Sequence, residues 1–178
     1  MYKLTGEHRL RPLGGDDQGF LDDLYASRRT DLQQLPMATV MLAQMIKMQQ
    51  HVQMSGIQQH FPEAQHFVVE EAGRPVGRVI IDTGVTDLRL VDIAILPQAQ
   101  RKGIARSILR AMQEQARESN LNVSLAVEIT NQAARTLYLQ MGFFVQSSDG
   151  LFEQMHWHRP TGNQEVANNQ SSAQHVTA

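Results

Sequence analysis

Cysteine is absent from the 178 residues, which excludes disulfide scaffolding, thiolate zinc sites and thiol catalysis together. A positive charge excess is absent too: 16 Lys and Arg stand against 18 Asp and Glu, for a net charge of −2. Nucleic-acid binders usually carry a strongly basic face, so that class lacks its electrostatic footprint here. Long apolar runs are missing as well. The longest, Ile93 to Pro97, is far short of a membrane span, and Met1 to His8 holds no secretory hydrophobic segment. The expectation is a soluble cytoplasmic domain with no membrane or nucleic-acid partner. Hydrophobic residues at 42% and charged residues at 19% are near the globular average, and the length suits one domain with a real core.

No internal repeat is visible. Composition shifts after Pro160, where TGNQEVANNQSSAQHVTA is polar and lacks aromatics. Such a segment cannot offset its ordering entropy by burial. Residues 1–160 are therefore expected to form one domain, and 161–178 a disordered polar tail.

Within the domain the pattern alternates. Arg9 to Leu13 reads as a short strand closed by Gly14-Gly15, with Asp16 and Asp17 as N-cap candidates for a helix carrying Phe20, Leu21, Leu24 and Tyr25. Thr39 to about Met54 is a second helix, rich in Met and Gln, with Gly56 and Pro62 punctuating its end. Phe67 to Glu71 and Val76 to Ile81 form a hairpin through Ala72-Gly-Arg-Pro, and Leu88 to Ile95 is a strand ended by Pro97. Ile104, Ile108, Met112 and Ala116 mark an amphipathic helix. Val123 to Ile129 follows as a strand, Asn131 to Met141 as a short helix, and Phe143 to Gln146 and Leu151 to His158 as strands. The middle thus reads β-β-β-α-β-α-β-β, an α/β layer with one βαβ step.

The loop between Ile95 and Ile104 carries the first chemical signal. Pro97-Gln-Ala-Gln-Arg-Lys-Gly-Ile-Ala105 takes a strand through a glycine into a helix, which aims backbone N–H groups and a helix dipole at one spot, suited to phosphate oxygens. Gly103 permits close approach, and Arg101, Lys102 and Arg106 add charge. Neither G-x-G-x-x-G nor G-x-x-x-x-G-K-[ST] is present, so dinucleotide and P-loop readings lack their fingerprint. Alone, the turn is equally a glycine between strand and helix with solvated cations.

A second motif follows the next strand: Asn131-Gln-Ala-Ala134-Arg-Thr-Leu137-Tyr138-Leu-Gln-Met-Gly142-Phe143. Together the two resemble the acyl-CoA-dependent N-acetyltransferases of the GNAT superfamily. Gln100-Arg-Lys-Gly103-Ile-Ala105 matches the family's [RQ]-x-x-G-x-[GA]. Asn131 to Phe143 matches N-x-x-A-x-x-L-Y-x-x-x-G-F at every stated position. The resemblance is strong over residues 66–147 and implies a mixed, mostly antiparallel central sheet flanked by helices, with a splayed strand pair that holds acyl-CoA.

The resemblance also implies roles. Backbone groups of Ile93, Ala94 and Ile95 would meet the pantetheine arm, and the turn from Gln100 through Arg101, Lys102, Gly103, Ile104 and Ala105 to Arg106 would cradle the pyrophosphate. Asn131 would cap its helix and bond the pantetheine arm. Tyr138, which on spacing alone is equally an amphipathic core residue, would protonate the leaving thiolate with an ordinary phenol pKa near 10. The general base is not fixed. Asp92, Glu128 and Glu70 are candidates; strand alternation puts Asp92 on one face with Leu90 and Ala94, and Glu128 on one face with Ala126. A dedicated base is also dispensable for a free amine.

His156 and His158 share a strand face but lack a third ligand, so they read as surface residues near the acceptor end rather than a metal site. The reaction implied is direct acetyl transfer from acetyl-CoA to a primary amine of a small molecule or peptide, without a covalent enzyme intermediate and without a metal. The different-class alternative is a non-catalytic acyl-CoA-binding module. The acceptor, and whether the chain forms a homodimer, stay open; the Met-rich stretch suits either an uncharged acceptor or ordinary packing on the sheet.

Overall fold

The computed structural model describes residues 2–29 and 38–160; the expected tail lies outside them. Seven strands form one sheet: β1 (His8–Pro12), β2 (Gln65–Glu71), β3 (Arg74–Thr83), β4 (Asp87–Ile95), β5 (Asn122–Glu128), β6 (Phe144–Ser148) and β7 (Phe152–Trp157). Their spatial order is β1-β2-β3-β4-β5-β7-β6. Every neighbouring pair is antiparallel except β4–β5, which is parallel. That one parallel step is bridged by α3 (Ile104–Ser119), as a crossover requires. The mixed, mostly antiparallel sheet flanked by helices agrees with the expected fold class.

Helices cover both faces. α1 (Gln18–Ser27) and α2 (Thr39–His60) lie on one; α3 and α4 (Gln132–Gln140) lie on the other. The α3 face holds the main core, where Val79, Ile81, Leu88, Leu90, Val123, Leu125 and Val127 pack against Ile104, Ile108, Leu109 and Met112. α2 runs through Gly56 to His60 rather than ending near Met54. One internal glycine costs about 1 kcal/mol, too little to stop a helix of this length. Asp17 also departs from its expected part. Its carboxylate makes no side-chain cap for α1; it takes two guanidinium donors of Arg11 at 2.6 and 2.7 Å and the Gly14 N–H at 2.8 Å. Those bonds hold its pKa down at about 2, and fasten α1 to β1.

Two irregularities shape the centre of the sheet. In the β3–β4 ladder Ile80 faces Asp92 but Ile81 faces Leu90, so Val91 is an extra residue. This bulge reverses strand parity. Leu90 points into the α3-side core, whereas Asp92 reaches Arg78 on the opposite face, so the expected grouping of Asp92 with Leu90 fails. Gly77 supplies the second feature. A Cβ there would lie 2.5 Å from the Ala94 carbonyl oxygen, so only glycine lets β4 approach β3 this closely. Gly77→Ala is expected to cost about 1–3 kcal/mol, the range for overpacking, and to lower Tm by several degrees; an unchanged melt would show that β4 shifts freely.

Candidate active site

β4 and β5 pair only from Asp87–Asn122 to Leu90–Leu125. Pairing ends where the bulge begins, and beyond it the strands part. On the β4 side, the Leu96 N–H donates to the Val76 carbonyl at 2.9 Å. Alternation along an antiparallel ladder then commits Ala94 to Arg78 and Asp92 to Ile80, and turns the backbone groups of Ile93 and Ile95 toward the opening. Ala94, expected with them, presents no backbone group there. Gln100 Nε2 donates to the Ile95 carbonyl at 3.0 Å, bracing the following loop on the strand end.

That loop is the one from which a pyrophosphate cradle is expected. Arg101 and Gly103 both have positive φ, 62° and 83°, which curls the chain so that successive amides converge. The amides of Arg101 to Arg106 find no acceptor among the described residues; the first bond of α3 is Ser107 N–H to the Gly103 carbonyl, 2.9 Å. A Cβ on Gly103 would meet nothing within 4 Å, so the space before these donors is open. Ile104 is buried in the core and anchors the turn from beneath. The cations behave unequally. Lys102 Nζ binds Glu71 at 2.9 Å and Arg106 Nη2 binds Gln140 on α4 at 2.7 Å, while Arg101 is exposed and unpaired among the described residues. The free donors of this turn are backbone amides more than side chains.

α4 carries Tyr138. Asn131 caps the helix, its Oδ1 accepting from the Ala134 N–H at 3.2 Å. Tyr138 is 7% exposed, against Phe143 at a ring distance of 6.0 Å. Burial pushes its phenol up to about 12, with the charge of Asp92 acting in the same direction. An ordinary value near 10 therefore does not hold, because the sequence does not reveal how fully α4 sinks into the core.

The three carboxylates separate clearly. Glu70 lies on β2, two strands from the opening, bound to Arg11 Nε at 2.7 Å. Asp92 has both oxygens engaged, one by Arg78 at 2.7 Å and one near Arg28 at 3.7 Å. Glu128 is exposed at the open end of β5 and, like Ala126, faces away from the α3-side core; its nearest side-chain partner is Thr130 at 3.5 Å. His156 pairs with Ser124 in the β5–β7 ladder, beside the closed part of β4–β5, and His158 contacts Phe144. Neither stands at the open end. Among the described residues, no three His, Asp or Glu side chains cluster as a metal site. None of their helices is long and apolar enough to cross a membrane.

The fold thus has a parallel strand pair that parts, a run of amides without described acceptors at the next helix and a buried tyrosine on α4. The acetyltransferase (GNAT) family model matches residues 21–143, spanning all of them. The chain belongs to the GNAT acetyltransferase family. Its members are acyltransferases. No curated protein matches the chain in sequence, but solved structures share its fold. The PaiA N-acetyltransferase of Thermoplasma acidophilum, solved with coenzyme A, aligns at a TM-score of 0.63 and 14% identity over 86% of this chain and 99% of its own. The ribosomal-protein-S18-alanine N-acetyltransferase of Escherichia coli gives 0.61 and 17%, over 87% and 96%. The spermidine N-acetyltransferase of Vibrio cholerae, in complex with CoA and spermine, gives 0.58 and 20%, over 86% and 96%. All three share the architecture and differ widely in sequence.

Proposed function

We propose that this GNAT protein transfers the acetyl group of acetyl-CoA directly to a primary amine in a ternary complex. The observation that carries the reading is the run of unpaired amides from Arg101 to Arg106 beside the β4–β5 opening. Six converging N–H groups with a helix dipole behind them suit a pyrophosphate. The outward amides of Ile93 and Ile95 suit the pantetheine arm, and one of them would polarise the thioester carbonyl as charge develops on its oxygen.

In the reaction the amine nitrogen bonds to the carbonyl carbon, the carbon–sulfur bond breaks, the nitrogen loses a proton and the sulfur gains one. In this reading Tyr138 serves the sulfur. At a pKa of about 12 its hydroxyl stays protonated throughout the neutral range. Full transfer to a thiolate, whose acid has a pKa of about 8.5, is uphill. The hydroxyl therefore donates a hydrogen bond to the departing sulfur and passes its proton on as another arrives from the amine side. Glu128, exposed and without an ion pair among the described residues, suits the role of accepting the amine proton through water better than the paired Asp92 does. Much of the rate would come from positioning.

Release of free thiol from acetyl-CoA across a panel of primary amines tests the reading. Amine-dependent release, with the acetylated amine recovered, is expected. Tight acetyl-CoA binding with no release for any amine would instead make the chain an acyl-CoA-binding module.

A further inference from the structure

The solvent side of α2 is apolar, where a surface helix ordinarily carries charge. Ile46 and Gln50 turn inward and are buried. On the opposite side Met41, Met48 and Val52 stand 59%, 62% and 65% exposed, with Met45 partly exposed among them. The positions 41, 45, 48 and 52 are spaced four, three and four residues apart. That is the a/d repeat that keeps one stripe turned toward a partner helix. Ala38, Ser55 and Gln59 continue it without a charge. Lys47 is the one Lys, Arg, Asp or Glu in the helix; it lies off the stripe and lines a cavity between α1, α2 and the sheet.

The stripe has the symmetry of a contact with itself. In a two-fold interface residue i meets j and j meets i. Laid antiparallel on a second α2, Met41 meets Val52 and Met45 meets Met48, about an axis that passes between Ile46 and Lys47. Every one of these pairs is apolar. The flanking positions Leu42, Gln44, Gln49 and His51 hold no Asp, Glu, Lys or Arg to clash across the axis; Arg29, beyond the end of α1, bonds Gln49. Antiparallel packing also sets each helix dipole against the opposite end of the other. A membrane is the poorer occupant, because a helix with one lysine lacks the basic face that seats amphipathic helices on anionic lipid. Met41, Met48 and Val52 each present ~100 Å², and with Met45 and the flanks two copies bury roughly 1,000 Å², the floor for a specific interface.

We propose that α2 is a dimerisation surface whose occupant is a second copy of this chain, packed antiparallel along Met41, Met45, Met48 and Val52. A seam of two heptads without flanking charge pairs gives a dissociation constant of ~1–100 μM. Gln50 and Met54 of the same helix wall the cavity beneath it, so the pairing fixes one side of that cavity. The inference does not depend on the acetyl-transfer reading.

Sedimentation equilibrium of the full chain over ~1–300 μM is expected to show a reversible monomer–dimer equilibrium. Met48→Glu sets a carboxylate in the middle of the seam and should raise the dissociation constant about 100-fold or more. Its circular dichroism should match wild type, because the position is exposed in the monomer. Met48→Leu keeps the seam apolar and should dimerise as wild type does. The chain has no cysteine, so introduced cysteines report the register. Met41→Cys mixed with Val52→Cys should cross-link through a short bis-maleimide. Met41→Cys alone should not, its two copies lying ~16 Å apart along the helix axes. A monomer throughout, a dimer that Met48→Glu leaves intact, or Met41→Cys linking to itself would overturn the assignment.

Discussion

Tyr138→Phe is expected to lower kcat by about 10- to 1,000-fold while leaving acetyl-CoA affinity within a few-fold. A hydroxyl that engages the sulfur only as charge develops there stabilises the transition state and hardly the bound thioester. The ring must remain, because Tyr138 packs against Phe143 in the core; truncation to Ala would add a cavity costing several kcal/mol. The pH dependence gives a second check. A group needed in its protonated form loses effect only as pH rises through its pKa, here about 12. The wild-type rate should therefore climb with pH as the amine deprotonates, with no downturn from Tyr138 below about pH 11. Equal kcat for wild type and Tyr138→Phe would make the residue core alone.

Gly103→Glu should abolish measurable acetyl-CoA binding and leave the domain folded. The glycine has φ 83° and nothing within 4 Å of a Cβ, so the substitution meets strain of about 1–2 kcal/mol but no clash. Its carboxylate would sit where the free amides converge and take the donors meant for phosphate, an anion stabilised by the same helix terminus. Gly103→Ala separates the effects: the strain stays, the competing charge does not, and binding should weaken only modestly. Calorimetry giving an unchanged dissociation constant for the Glu variant would remove the loop from the site.

Much of this was legible because local chemistry and local structure coincide. The strand–glycine–helix turn at Gly103 and the Asn131 cap each act within one turn of chain, and both occur as read. The hairpin turn lies at Ala72-Gly73, both with positive φ, within the tetrapeptide expected. What was not legible depends on partners distant in sequence. LRLVDIAI breaks its alternation at Leu90-Val91, and Arg89 and Asp92 fall on opposite parities, but the sequence does not say which residue β3 skips; that Val91 is the one belongs to the pairing. That single residue decides that Asp92 faces Arg78 and that β4 can leave β5. The insertion of β7 between β5 and β6 is likewise a matter of long-range register. Arg78 reads as one cation in Val76-Gly-Arg-Val, and only the packing of α2 across it shows a buried guanidinium short of partners.

The seating of the cofactor can be read residue by residue from amide hydrogen exchange with and without acetyl-CoA. The amides of Arg101 to Arg106 find no acceptor among the described residues, and the ladder turns those of Ile93 and Ile95 toward the opening, so they should exchange fast in the free protein and slow markedly on binding. Amides on the β1 edge should not change. Saturating acetyl-CoA that leaves 101–106 as fast as before, or protects a different surface, would contradict the placement of the thioester between β4 and β5.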